Sequence, residues 1–141
     1  MLRPGGVLAF TVWATPAPGQ GFGIVLSALD RYGAAEVQLP PAPPYFRFAD
    51  PEEVRAVLSE AGFGNITTEI VPQAWHHQSP DQVFDAFNEG AVRATAMLQA
   101  QPEEVRAVIR DAVRAEVMQL CDGEDYVIPV PAALFAGTKP A

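Results

Sequence analysis

The near-unbroken apolar run Val7-Leu8-Ala9-Phe10-Thr11-Val12-Trp13 constrains this chain more than any other stretch. It is entered through the turn signal Pro4-Gly5-Gly6 and left through a Pro/Gly loop from Thr15 to Gly21. A continuous apolar run rich in β-branched and aromatic residues, bounded by turns, predicts a strand covered on both faces, as in a parallel sheet. That demands other strands beside it and helices to cover it.

The rest of the chain supplies candidates for both. Phe22, Val25, Leu26 and Leu29 have helical spacing over Phe22 to Tyr32, and Gly33 is a stop signal. Four prolines between Gln38 and Tyr45 predict an extended segment. Asp50-Pro51-Glu52-Glu53 opens a helix, with Asp50 as cap, Pro51 at the first position and Glu53 at the capping-box position. Val54, Val57, Leu58 and Ala61 line one face of it, and Gly62 ends it. Asn65 to Gln73 reads as a strand with Ile66, Thr68, Ile70 and Pro72 on one side. Ser79-Pro80-Asp81-Gln82 starts a helix carrying Val83, Phe84 and Phe87, with Gly90 as an interruption before Met97 and Leu98. Gln101-Pro102-Glu103-Glu104 starts another, with Val105, Val108, Ile109, Ala112, Val113 and Val117 on its apolar face. The sequence Pro-Glu-Glu-Val-Arg-Ala-Val occurs at both Pro51 and Pro102, and reads as the same amphipathic helix opening used twice rather than as a repeat architecture. After the turn Asp122-Gly123, Tyr126 to Gly137 predicts a last strand, bulged or paired mainly in its later part because of Pro129 and Pro131. Strands alternating with helices argue an α/β layer structure.

Composition narrows the function classes. Apolar residues make up 49% of the 141 residues and charged ones 18%, which suits a packed domain rather than a disordered one. Acids outnumber bases 17 to 9, a formal charge of −8 with the bases scattered, so neither nucleic acid nor an anionic membrane is an expected partner. The lone cysteine, Cys121, has acids for neighbours and suits a reducing compartment, and no apolar run is long enough to span a bilayer. A cytoplasmic location is expected.

Three signals in order resemble the C-terminal half of class I S-adenosylmethionine (SAM)-dependent methyltransferases of the type 11 kind. They are the Leu2-Arg3-Pro4-Gly5-Gly6 turn leading into the apolar strand, the helix ending Ala61-Gly62-Phe63, and the closing Gly137-Thr138-Lys139-Pro140. The resemblance covers essentially the whole chain. It implies the C-terminal part of a Rossmann-like methyltransferase sheet: Val7–Trp13, Ile66–Gln73 and the segment around Ala132–Ala136 as strands five, six and seven, the last inserted antiparallel between the other two. It makes residues 1–141 a single partial domain with a helical insertion at 80–121, and its function methyl transfer to a small molecule. In such enzymes a glycine-rich loop after strand one and an acid after strand two hold SAM, and neither has a counterpart position here, so no cofactor is expected to bind this chain alone. The Gly19-Gln20-Gly21-Phe22-Gly23 pattern lacks the third glycine at fingerprint spacing. Expected partners are a methyl acceptor and either a cofactor-binding half or a second copy. The alternative is a non-catalytic dimerisation or small-molecule-binding module derived from such an enzyme, because the strand at Val7 would present an open edge.

Ligands of open α/β sheets lie beyond the carboxyl ends of parallel strands, which singles out Trp13 and the loop after it. In the enzymes that this chain resembles, this loop and the later helical insertion help build the substrate side, so the resemblance implies Trp13, Tyr45, Arg47, Trp75, His76 and Arg93 as candidate substrate-binding residues, with Phe46, Phe48 and His77 beside them. Each has a plainer reading. Phe46 and Phe48 can staple the Asp50 helix to the sheet, Trp75 can be a partly buried cover, and His76-His77 read as solvated loop residues before they read as a general base. Arg93 can meet a carboxylate substrate or an internal acid. No metal site is expected, since adjacent histidines diverge and too few ligands surround them. No catalytic residue stands out, and methyl transfer asks mainly for in-line placement of its reactants.

Overall fold

A computed structural model describes residues 2–34, 40–41 and 43–140. The elements run β1 (Val7–Trp13), α1 (Gly21–Tyr32), a 3-10 turn (Arg47–Ala49), α2 (Pro51–Glu60), β2 (Gly64–Val71), β3 (Ala74–His77), α3 (Gln82–Gly90), α4 (Val92–Gln99), α5 (Glu103–Val117), a 3-10 turn (Met118–Leu120), β4 (Cys121–Asp122), β5 (Asp125–Pro129) and β6 (Ala132–Thr138). The chain is thus of the α/β class, with two small antiparallel sheets, and it divides into two compact units. Of the expected extended segment from Gln38 to Tyr45, Gln38, Leu39 and Ala42 lie outside the described residues, and the other five residues are in neither helix nor strand. No helix among the described residues is long and apolar enough to cross a membrane.

The sheet unit comprises Met1–Thr15, Ala42–Gln73 and Pro131–Ala141. Its strands lie in the order β1-β6-β2, with β6 antiparallel to both neighbours, so β1 and β2 point the same way. Leu8, Phe10 and Val12 pack with Ala133 and Phe135 of β6 against Val54 and Leu58 of α2, and the Phe10 and Phe135 rings stack at 5.5 Å. Helix α2 starts as the sequence requires, Asp50 accepting from the Glu52 N–H with Pro51 behind it. Glu53 does not close the expected capping box; its carboxylate is held by Arg47 instead. At the other end Gly62 takes φ +83, the Phe63 N–H bonds to Leu58 O and the Gly62 N–H to Ser59 O. That is a Schellman cap, with Phe63 packed into the cluster that contains Leu58.

Two expectations change here. β1 is not covered on both faces: Val7 is 58% exposed and Ala9 and Thr11 are exposed too. An apolar run marks a strand without counting the layers over it, and small residues such as Ala9 and Thr11 tolerate either setting. The anticipated face of β2 is also broken. A register shift between Gly64 and Thr67, with Asn65 at φ +48, brings Ile66 into the core while Ile70 stays 56% exposed.

The helical unit comprises Pro16–Pro41 and Ala74–Val130. Ile24, Val25, Ala28 and Leu29 of α1 meet Val83, Phe84 and Phe87 of α3, Leu98 of α4, Ile109, Val113 and Val117 of α5, and Ile128 of β5. Ala91 interrupts the long helical stretch one residue after Gly90, leaving α3 and α4 as separate helices. Asp81 and Asp85, one turn apart, meet Arg114 and Arg110, one turn apart on α5; Asp81 accepts two bonds of 2.8 Å from Arg114. Pro102 caps α5 rather than entering it, and Val108 of its expected apolar face is 49% exposed.

The predicted last strand is two strands. Pro129 and Pro131 flank the break, since neither can donate to a ladder on its N side. β5 goes to the sheet β3-β5-β4 of the helical unit and β6 to the sheet unit. One partner of β5 is Ala74-Trp75-His76-His77, so these histidines lie on a strand and not in a solvated loop.

Candidate functional site

The sheet unit contains a cavity of about 540 Å³ at the carboxyl end of β1. Thr11, Val12 and Trp13 enter it from that strand, Ala132 from the start of β6, and Gln73 from just past the end of β2. The segment from Pro43 to Ala49 forms the remaining wall. Register explains the meeting: Trp13 and Val71 both pair with Ala132, so the ends of the two same-direction strands flank one residue. This is the position where open α/β sheets hold ligands.

Three of the expected substrate-binding residues, Trp13, Tyr45 and Arg47, line this cavity, together with Phe46 and Phe48. Tyr45 and Phe46 stand edge to face at 4.8 Å. The Arg47 guanidinium lies 5.2 Å over the Phe48 ring and donates through Nε to Glu53 Oε1 at 2.6 Å, with a second bond from its terminal nitrogen to the same oxygen. Ala49, the residue before the cap, is buried along with Val54, whereas Phe48 is 39% exposed.

The other three belong to the helical unit. Trp75 is half-buried on β3, 6.3 Å from Phe22 and 6.1 Å from Phe87, and so serves that unit's core. His76 points to the opposite side of the strand and is exposed; His77 shares the Trp75 side, 6.2 Å from its ring. Burial lowers the His77 pKa from its ordinary value. Arg93 is half-buried on α4. Among the described residues no group of three His, Cys, Asp or Glu side chains is placed to hold a metal ion.

Gly19, at φ +76 between β1 and α1, has open space where a Cβ would stand, whereas Gly21 and Gly23, in the first turn of α1, are closely packed. A Cβ on Gly21 would stand 2.7 Å from the Val130 side chain and 3.3 Å from Trp75, and one on Gly23 would stand 2.1 Å from Ala17 O. Gly21 and Gly23 are suited to glycine because the helix start packs tightly against its own unit.

Thr11, Gln73 and the two prolines, Pro43 and Pro44, were not singled out from sequence. Gln73 follows a strand end that leads to the same ligand position, and that rule was the available signal. Thr11, inside a strand, gave none. No family model and no curated protein matches the chain.

Proposed function

We propose that this chain forms the acceptor side of a SAM-dependent methyltransferase acting on a small molecule. The observation that carries the reading is the strand arrangement: the C-terminal strand β6 runs antiparallel between β1 and β2, which point the same way. That is the order implied for strands five, seven and six of the Rossmann-like methyltransferase sheet. The cavity at the carboxyl ends of β1 and β2, bordered by Trp13, Tyr45 and Arg47, supports it, since that end of such a sheet faces the reactants. In this reading the chain's residues bind and orient the acceptor, and SAM is held by elements that residues 1–141 do not provide. The genomic sequence upstream of Met1 tests this directly. An in-frame strand followed by a glycine-rich loop supports it, and a polypeptide carrying both parts transfers a labelled methyl group. In that polypeptide Trp13→Ala raises KM for the acceptor and leaves SAM affinity unchanged. Stop codons in every upstream frame, or tight binding of SAM to residues 1–141 by themselves, would overturn it.

A second reading, a non-catalytic dimerising module, is favoured by the free edge of β1. Ala14 N–H bonds inward to Pro131 O, and alternation along an antiparallel ladder then turns the N–H groups of Val7, Ala9 and Thr11 outward. No sheet partner takes them among the described residues. Pairing with a second copy about a two-fold axis at Ala9 would set Val7 opposite the second copy's Thr11, with no charged residue between Gly5 and Thr15 to oppose it. Sedimentation equilibrium of the chain decides it: a monomer at high concentration rejects this reading.

A further inference from the structure

The cavity of the sheet unit also bears on what is bound there, a question that rests on the acceptor-side reading. Four aromatic side chains, Trp13, Tyr45, Phe46 and Phe48, border one space of about 540 Å³, within the size range of small-molecule sites. Tyr45 and Phe48 are 55% and 39% exposed, so aromatic surface faces the cavity for a flat ring to cover. Among the described residues lining it, Arg47 alone carries a charge. Its guanidinium is already engaged, by the Glu53 carboxylate at its edge and by the Phe48 ring against its face. A ligand carboxylate or phosphate would have to approach Arg47 beside the negative charge of Glu53 or displace it. A ligand cation would meet Arg47 itself, which occupies the cation–π position over Phe48.

We infer that this pocket takes an uncharged molecule carrying a planar aromatic ring, with a hydroxyl-type group directed to the polar side chains of Thr11 and Gln73. The charge selection comes from the Arg47–Glu53 pair, which fills the one position where the pocket could otherwise recognise an acid.

Titration of the isotope-labelled full chain with 2-naphthol, 2-naphthoate and a 2-naphthyl trimethylammonium, followed by amide resonance shifts at neutral pH, tests this. 2-Naphthol is expected to move the resonances of Trp13, Tyr45 and Arg47 and to bind about tenfold more tightly than either charged analogue. Tyr45→Ala is expected to weaken 2-naphthol about fivefold. Glu53→Gln keeps a residue suited to the first turn of α2 and removes the negative charge opposing an acid at Arg47, so it is expected to narrow or reverse the preference over 2-naphthoate. Wild-type protein that binds 2-naphthoate or the ammonium compound as well as 2-naphthol, shifts that fall elsewhere, or no binding of any probe would overturn the inference. Its failure is separable from that of the acceptor-side reading. Methylation of a charged acceptor by the longer polypeptide keeps the reading and sinks the inference. Selective binding of 2-naphthol with stop codons in every upstream frame does the reverse.

Discussion

Single side chains in this protein tie elements together more than they expose chemistry. Gln101 is the buried polar residue of the helical unit, 6% exposed; its Oε1 accepts from Ala34 N–H at 2.9 Å and its Nε2 donates to Met97 O at 3.2 Å. It therefore joins the chain leaving α1 to the end of α4. Gln101→Leu keeps the volume but strands the Ala34 amide, and is expected to cost about 1–3 kcal/mol of stability by denaturant unfolding. A neutral result would mean that water replaces the side chain. His77 couples stability to pH. Its Nε2 finds no hydrogen-bond partner among the described residues, and burial depresses its pKa below the ordinary 6.5. The unfolded chain then binds a proton more readily than the folded one, so its contribution is intact above pH 6.5 and is lost as pH falls through the folded-state value. Thermal midpoints of wild type should drop more steeply below pH 6.5 than those of His77→Phe. Parallel curves would remove His77 from the account.

Among the elements, β1 is the most informative. It is an edge strand without Lys, Pro or a bulge in Val7–Trp13, the devices that usually protect an edge. A proline at an outward-facing position keeps the inner ladder and removes only an edge donor. Ala9→Pro is therefore expected to fold and to abolish any self-association seen in sedimentation, as is Thr11→Lys. Unchanged association in both would place the contact elsewhere. The three sequence signals of the resemblance prove to be physically one feature of this sheet. Gly5 N–H bonds to Lys139 O, Lys139 N–H to Gly6 O, and Lys139 Nζ donates to Leu2 O at 2.8 Å, while a Cβ on Gly137 would stand 3.2 Å from Phe63. The opening turn, the Schellman cap and the closing motif thus lock the end of the sheet opposite the cavity, and report fold rather than site. This is why β1, α1, α2 and the helix starts could be read from residues, each being encoded by local caps, turns and periodicity. The fate of Tyr126 to Gly137 could not. Two prolines flagged a weak strand, but which sheet each half joins depends on partners distant in sequence. The site followed the same divide: Trp13 was legible from the carboxyl-end rule, whereas the departure of Trp75 into a core depended on Phe22 and Phe87, remote along the chain.

At the scale of the whole molecule, the chain passes between its two units at each of four boundaries, near residues 15, 41, 73 and 130. Buried apolar residues are unevenly shared between them. Among the described residues the main cluster of the helical unit has thirteen and that of the sheet unit four, Val54, Leu58, Ala133 and Phe135. A three-stranded sheet covered on one face by one helix is near the lower limit of independent stability, and small cores open locally before large ones. Amides of α5 and α1 should accordingly show the highest free energies in native-state hydrogen exchange, and those of β1, β6 and β2 lower ones. Phe135→Ala removes the largest of the four side chains, with an expected cost of about 3–5 kcal/mol. That loss should accelerate exchange throughout β1, β6 and β2 while leaving α5 nearly unchanged. Equal acceleration in α5 would mean that the two units unfold as one cooperative body. A ligand in the cavity contacts β1, β2's end and β6 alone among the strands, so by linkage it should raise protection in that sheet and not in α5. Protection that instead rises uniformly would show that binding is coupled to the global unfolding equilibrium.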